Sequence, residues 1–492
     1  MARTSRTHPL QIAAVQGHQG HGRIGVTFCP GKHQTDAQTG SWARDLAIDL
    51  DAIADWNASA VVSLIEHHEF DELKVGALGD EVQQLHMDWY YLPIPDFSPP
   101  GAAFEAAWQT AGEELRSRLR NGFDIVVHCK GGLGRAGTVA ARLLTELGHP
   151  AEDAIQRVRT ERPGALETRA QEDHVRAIGV ILKRAPNDSL AAVEDRAIGT
   201  LLGLAAGDAV GTTLEFRPRD SEPLLTDMVG GGPFGLRAGQ WTDDTAMALA
   251  LADSLLANPE LDEQDLMVRF WDWWTDGRYS CTGTCFDIGA TVSAALQQWR
   301  RTGNPVAGSQ DPMTAGNGSL MRLAPVAIRF WNDRDRLTDV AARQSRATHA
   351  APEAVEACVA YAGMLADLIA GRPLDEVLSA PNFQSESAIG SILAGSWRGK
   401  CRHDMRASGY VAHSLEAALC SVGRSGNFRQ SVLTAANLGE DADTTAAIAG
   451  QLAGAAYGAA AIPEPWRERL AWGDRIRLVA RKLLTESFTR YA

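Results

Sequence analysis

The hydrophobic patterning of this chain changes character once, and that change limits the folds open to it. From about residue 23 to 182, apolar runs of strand length, VVSLI (61–65), LHMDWYYLPI (85–94) and IVVH (125–128), alternate with helical patterns. That order builds a parallel sheet flanked by helices. Around RAPNDSL (184–190) the alternation stops, and beyond it Ala and Leu recur with helical periodicity and almost no strand signal. The expectation is a multidomain chain, with an α/β domain of central, mostly parallel sheet over residues 1–183 and an all-α domain over 193–492. The length of 492 residues, more than one hydrophobic core usually supports, agrees.

Charge and cysteine content narrow the function classes. Forty-seven basic residues against 61 acidic ones leave a net charge of -14, which argues against a surface built to neutralise a nucleic-acid backbone. The seven irregularly spaced cysteines suggest a reducing compartment rather than a disulfide framework. MARTSRTHPLQ lacks the apolar core of a signal peptide, so a cytoplasmic location is expected. The longest uncharged run, Thr444 to Ile462, is mostly Ala and Gly. Its Gly450, Gly454 and Gly458 recur every four residues and flatten one helical face for close approach by another helix, so it reads as a buried central helix rather than a membrane span.

The stretch VVHCKGGLGRAGT (126–138) holds two motifs at once. Gly132, Gly134 and Gly137 make a dinucleotide-type G-x-G-x-x-G, but the segment after the next helix, EDAIQRVRTERPGALET, contains no second strand to complete that unit. The alternative explains more residues. Cys129 ends a strand, the amides of Lys130 to Arg135 curl around an anion, and a helix begins there with its positive dipole end. This environment favours a nucleophilic thiolate, and Arg135 returns to the same concavity with a fork that holds two phosphate oxygens.

With IGVTFCPGK, LPIPDFSPP, HCKGGLGRAG and RPGALETRAQ, residues 23 to 180 resemble the dual-specificity and tyrosine phosphatase superfamily, most closely the cyclin-dependent kinase inhibitor 3, or kinase-associated phosphatase, type. The resemblance implies a metal-independent cysteine phosphatase. In it Asp96 matches the loop aspartate that protonates the leaving oxygen, and Gln171 matches a position that orients water in the second step. One residue departs from the pattern. The family usually has Ser or Thr after the arginine, to hydrogen-bond the departing sulfur, and here stands Ala136. Slower hydrolysis of the cysteinyl-phosphate is expected, unless Thr138 substitutes.

Two further stretches share one chemistry. GQWTDDTAMALALADSLL places Thr242, Asp243 and Asp244 at a helix start, and NLGEDADTTAAIAGQL places Asp441, Asp443 and Thr444 at another. Each alone is an ordinary cap. Converged, their carboxylates and hydroxyls are hard oxygen ligands suited to magnesium or manganese. Together with GLAAGDAVGTTLEF, GRYSCTGTCFDIGATV, AGNGSLMRLAPVAI, ATHAAPEAV and GYVAHSLEAAL, in the same order, they make residues 193 to 485 similar to the ADP-ribosylglycohydrolase family, typified by the dinitrogenase reductase activating glycohydrolase.

That resemblance implies an all-α fold with two magnesium ions held by Thr242, Asp243, Asp244, Asp441, Asp443 and Thr444. Glu215 matches an acidic position near the ribose. Gly316, Asn317, Gly318 and Ser319 offer backbone amides to a pyrophosphate, and His349 and Tyr410 match substrate-lining positions, Tyr410 as a stacking partner for adenine. Asp287 is either a further carboxylate of the ligand shell or a plain cap. The expected protein is a bifunctional hydrolase of ADP-ribosylated proteins or small molecules and of phosphorylated substrates, with neither nucleic acid nor membrane as partner. The competing expectation makes the phosphatase-like half a phosphate-binding module that delivers targets to the glycohydrolase.

Overall fold

The computed structural model describes residues 2–37, 40–181, 187–379 and 386–488. The chain forms two compact units, Met1–Lys183 and Arg184–Ala492. Part of the 184–190 segment lies outside the described residues.

The strands of the first unit are β1 (Ala13–Gln16), β2 (Arg23–Phe28), β3 (His33–Gln34), β4 (Trp42–Ala43), β5 (Ala58–Ser63), β6 (Asp88–Tyr91) and β7 (Asp124–Cys129). Five of them make one sheet in the order β1-β2-β7-β5-β6, with β1 antiparallel to β2 and the remaining pairs parallel. β7 is central and all six of its residues are buried, as a continuous apolar run covered by helices on both faces requires. Helices Ala102–Arg120, Gly134–Glu146 and Ala151–Glu161 pack Trp108, Leu143 and Val158 on one face, and helices Leu46–Asp55 and Leu78–Gln84 pack Ile53 and Val82 on the other.

Strand ends differ from the sequence reading. The 85–94 run pairs only over Asp88–Tyr91, because Leu85 and His86 close the preceding helix, His86 in left-handed backbone, and Pro93 and Pro95 have no N–H for the ladder. The 61–65 run pairs as Ala58–Ser63, and β1 is an edge strand outside the predicted alternation.

Among its described residues, the second unit is helical apart from a two-stranded ribbon, Gly230–Gly231 with Leu236–Arg237. Its centre is a crossing of two helices, Leu190–Gly211 and Ala442–Tyr457. A Cβ on Gly203 would lie 2.2 Å from the Gly450 carbonyl oxygen, and one on Gly207 would lie 2.1 Å from that of Ala446. Glycine at these positions is what lets the backbones touch. Gly454 meets Gly199 in the same way, whereas Gly458 ends its helix at φ 83°. The Leu190–Leu214 segment is long and apolar enough to cross a membrane, yet 94% of its apolar window is buried in the unit, as in a core helix. This close crossing carries Asp208 of one helix up to Asp443 of the other.

Candidate active sites

In the second unit, Thr242 caps the Asp243–Ala257 helix and Asp441 caps the Ala442–Tyr457 helix, so both aspartate clusters stand at helix starts. The two starts converge. Carboxylate oxygens of Asp208, Asp244 and Asp443, of Glu215, Asp441 and Asp443, and of Asp243, Asp287 and Asp443 form three groups, each within 4.8 Å. Asp443 belongs to all three. The Thr242 hydroxyl donates toward Asp208 (2.9 Å) and Asp443 (3.0 Å), and the Thr444 hydroxyl toward Asp244 (3.5 Å). Asp287 is no helix cap, since Gly289 caps the following helix, and it joins the carboxylate shell instead.

Burial, and then the neighbouring carboxylates, push these acids upward: Asp208 and Asp441 to about 7, Asp287 to about 8, and Asp243, Asp244 and Glu215 well above the usual range. So much like charge in a dry site calls for a cation. The residues fit a divalent one. Every donor is a hard oxygen, and Asp244 Oδ1 is buried with no hydrogen-bond partner among the described residues.

A cavity of about 640 Å³ opens above the carboxylates, lined among others by Glu215, Asp243, Asp441, Gly318 and His349, a size that suits a nucleotide-like ligand. Glu215 Oε2 accepts the amides of Ala442 (2.8 Å) and Asp443 (3.2 Å), which fixes its side chain at the cavity wall. His349 is buried, and burial, with Arg322 nearby, pushes its pKa down to about 3, so the imidazole is neutral. Gly318 is small for its sake, because a Cβ there would lie 2.8 Å from the ring.

Four expectations need correction here. The amides of Gly316 and Asn317 donate to Thr314 O (2.8 Å) in the same turn and to Gly409 O (3.1 Å) of the segment before Tyr410, so these two amides are taken and do not face a pyrophosphate. Asn317 instead uses its side-chain amide, which holds Asp441 (2.7 Å). Ser319 is fully buried and bonded to Ser345 (2.9 Å), behind the cavity wall. The wall near Tyr410 is made by Ser408 and Gly409, while the Tyr410 hydroxyl is tied to Glu353 (2.5 Å) and its ring stands edge-on to His413. Asp208 was not singled out from the sequence, although an acid inside LLGLAAGDAVG, an otherwise apolar helix, is the signal that finds it.

The first unit gathers its own site at the end of β7. Cys129 is buried, and its sulfur accepts the Gly132 amide at 3.2 Å. Gly132 has φ 70°, and a Cβ there would lie 2.4 Å from the β2 backbone, so the loop depends on that glycine. Arg135 is bidentate to Glu69 (2.5 and 3.0 Å) and reaches Asp96 (3.1 Å), which is half-exposed on its loop. Burial alone would raise Glu69, but the Arg135 hydrogen bonds prevail and hold it below the usual range. The Arg135 Nε–H is buried without a partner among the described residues, free for an anion.

Gln171 is not a surface residue: it is fully buried, accepts the Glu167 amide (2.9 Å) and donates to Ser98 O (3.3 Å), two residues beyond Asp96. Thr138 donates to Gly134 O (2.7 Å), so its hydroxyl does not replace the one missing at Ala136. Sequence patterning missed Glu69, one acid among several in EHHEFDEL. Lys32 was missed too; its ammonium donates to Lys130 O (3.3 Å), and burial pushes it down to about 8.

Comparison with known proteins finds a relative for each unit. The ADP-ribosylglycohydrolase family profile matches residues 189–492, and the profile described as Swiss Army Knife protein, DSP-PTPase phosphatase domain, matches 46–175. The chain is 48% identical over 290 residues to the ADP-ribosylarginine hydrolase Tri1 of Pseudomonas putida (strain GB-1), covering 59% of this chain and 78% of that protein. It is 29% identical over 171 residues to protein tyrosine phosphatase type IVA 3 of Mus musculus, covering 34% of this chain and 83% of that one. A solved structure titled ADP-ribosylglycohydrolase-related protein complex aligns with TM-score 0.55 and 36% identity, over 61% of this chain and all of its own. The chain belongs to the ADP-ribosylglycohydrolase family and carries, ahead of that domain, a phosphatase domain of the DSP-PTPase type.

Proposed function

We propose that the second unit hydrolyses the N-glycosidic bond between ADP-ribose and an arginine side chain, using two magnesium or manganese ions. The observation that carries this reading is the convergence of the two aspartate helix starts on Asp443. The 48% identity to a protein named ADP-ribosylarginine hydrolase supports the linkage. Thr242, Asp243, Asp244, Asp441, Asp443 and Thr444 would hold the ions, with Asp208 and Asp287 beside them. Bound there, the ions supply Lewis-acid polarisation of the ribose hydroxyls and of water. Glu215, set by two amides, orients the attacking water toward the anomeric carbon, and the carboxylate-lined cavity holds the ribose against it.

In the first unit, Cys129 Sγ attacks a phosphomonoester and forms a cysteinyl-phosphate, which water then hydrolyses. Arg135 holds the phosphoryl oxygens through its unpartnered Nε–H, Asp96 gives a proton to the leaving oxygen, and Gln171 positions the water. No metal takes part in this chemistry. The second reading, a phosphate-binding module, is favoured by the buried, apolar Ala136 after Arg135, where the family usually has a hydroxyl. Seven free thiols support a reducing, cytoplasmic setting.

Mass spectrometry of one mixture of ADP-ribosyl-arginine, ADP-ribosyl-serine and phosphotyrosine peptides, with magnesium and with chelator, tests the reading. The expected outcome is ADP-ribose release from the arginine peptide lost on chelation, and phosphate release that survives it. ADP-ribose release without any phosphate release makes the first unit a phosphate reader.

A further inference from the structure

Of the six described non-glycine residues of the second unit in left-handed backbone, three, Phe216, Asp287 and Glu440, at φ 60°, 59° and 59°, line the cavity above the carboxylates. L residues avoid that conformation, and where it persists in side-chain-bearing positions the surroundings enforce it. Two of them enforce each other. The Phe216 amide donates to Glu440 O (2.7 Å), and the Glu440 amide donates to Arg217 O (2.8 Å), which staples the residue after Glu215 to the residue before Asp441. Glycine would sit in both positions without strain, so the side chains have a use.

Phe216 is 64% exposed, large for a phenyl ring. It is the end of an aromatic strip: Phe234 meets it edge-on at 6.2 Å between centroids, and Phe286, next to Asp287, lies 5.0 Å from Phe234. Phe234 is carried at the tip of the Gly230–Arg237 ribbon. The ribbon is held down by the Thr213 hydroxyl on Gly230 O (3.0 Å) and by Gly232, where a Cβ would lie 2.0 Å from Thr212 O. The rim therefore offers a fixed aromatic face and, beside it, the exposed carboxylate-bearing residue Glu440.

We infer that Phe216 and Glu440 form a subsite for the guanidinium of the ADP-ribosylated arginine, Phe216 stacking on its plane and Glu440 pairing with its N–H groups. The inference rests on the arginine reading of the function. A flat, delocalised, weakly hydrated cation is the group that uses an aromatic face and a carboxylate together. The diphosphate of ADP-ribose carries the opposite charge and is repelled from Glu440. Position agrees, because Phe216 and Glu440 line the same cavity as Glu215, the residue proposed to orient the attacking water.

The test compares the wild type with Phe216→Ala and Glu440→Gly. Both exposed positions tolerate the change, and Glu440→Gly relieves the left-handed backbone. The inference expects KM for an ADP-ribosyl-arginine peptide to rise about tenfold in each variant. It also expects kcat to hold within about twofold, inhibition by free ADP-ribose to stay unchanged, and the melting temperature of Glu440→Gly not to fall. An unchanged KM overturns it. So does an ADP-ribose inhibition constant that rises in step with KM, since the two residues would then shape the ADP-ribose site. A wild-type protein that cleaves the serine conjugate and leaves the arginine conjugate intact defeats the arginine linkage itself, a result visible before any variant is measured.

Discussion

Replacing Gly207 with alanine sets two effects against each other. Alanine favours a helix interior over glycine by about 1 kcal/mol. Against that, the new Cβ would lie 2.1 Å from Ala446 O and 2.6 Å from its carbonyl carbon. An ordinary C···O contact is about 3.3 Å, so the helices Leu190–Gly211 and Ala442–Tyr457 must part by about 1 Å. Overpacking of that kind costs about 3 kcal/mol when the obstacle is rigid, and here it is backbone. The clash wins by about 2 kcal/mol, a fall of about 4 °C in the melting midpoint for a unit of this size. Function should suffer more than stability, because Asp208 is the next residue and Asp443 stands across the crossing. Separating them spreads the cation ligands, and the magnesium needed for half-maximal ADP-ribose release should rise about tenfold, a ligand-placement loss near 1.4 kcal/mol. Scanning calorimetry and a magnesium titration of activity measure both. Gly363→Ala is the control: its Cβ meets only the Arg334 Nη1 tip at 2.8 Å, a flexible group that moves aside, so helix propensity should prevail and the protein should hold or gain stability. A Gly207→Ala protein as stable and as active at low magnesium as the control refutes the argument that backbone contact at this crossing builds the site.

Other consequences can be checked more briefly. Ala136→Ser should shorten the slow phase that follows a burst of leaving group from an aryl phosphate, since Thr138 is committed to Gly134 O; unchanged burst kinetics would mean the Gly132 amide already suffices for the sulfur. Glu69→Gln should lower kcat/KM for that substrate at least about tenfold, because it weakens a charge-assisted fork on Arg135, and Asp96→Asn should instead flatten the low-pH limb of the rate profile. In the metal-free protein, the raised carboxyls mean that the folded chain binds protons more tightly than the unfolded one. Their contribution to stability is full below pH about 4, the ordinary carboxyl value, and is lost as pH climbs through about 7 for Asp208 and Asp441 and about 8 for Asp287. The melting midpoint with chelator should therefore fall between those limits, and magnesium or manganese should restore it; a midpoint that rises with pH, with Asp443→Asn behaving as wild type, would show that the cluster does not govern stability.

The strand-to-helix turn at HCKGGLGRAG and the two aspartate starts were legible because each is a local pattern: a buried strand, a glycine turn and a helix start leave their marks within a dozen neighbouring residues. Strand limits were less so, since ladder pairing depends on the neighbouring strand and on Pro93 and Pro95 as much as on the run itself. The fourfold glycine spacing in the Thr444–Ile462 run told of a close helix partner, while nothing local said that the partner was the Leu190–Gly211 helix.

Other residues had no local mark. Glu69 reaches Arg135 from 66 positions away and Asn317 reaches Asp441 from 124, so the groups that hold the candidate site side chains are visible only after folding. The same blindness misplaced Ser319 and Tyr410: adjacency along the chain does not make adjacent side chains face the same space, and one is buried behind the wall while the other turns to Glu353. Sequence by itself determined which two domain types the chain carries, because their marks are residue types at short spacing. Tertiary structure decided which atoms meet, through a helix crossing tight enough to bring Asp208 and Asp443 together and a rim stapled so that Phe216 and Glu440 look into one cavity, since convergence is a property of long-range packing and not of neighbouring residues.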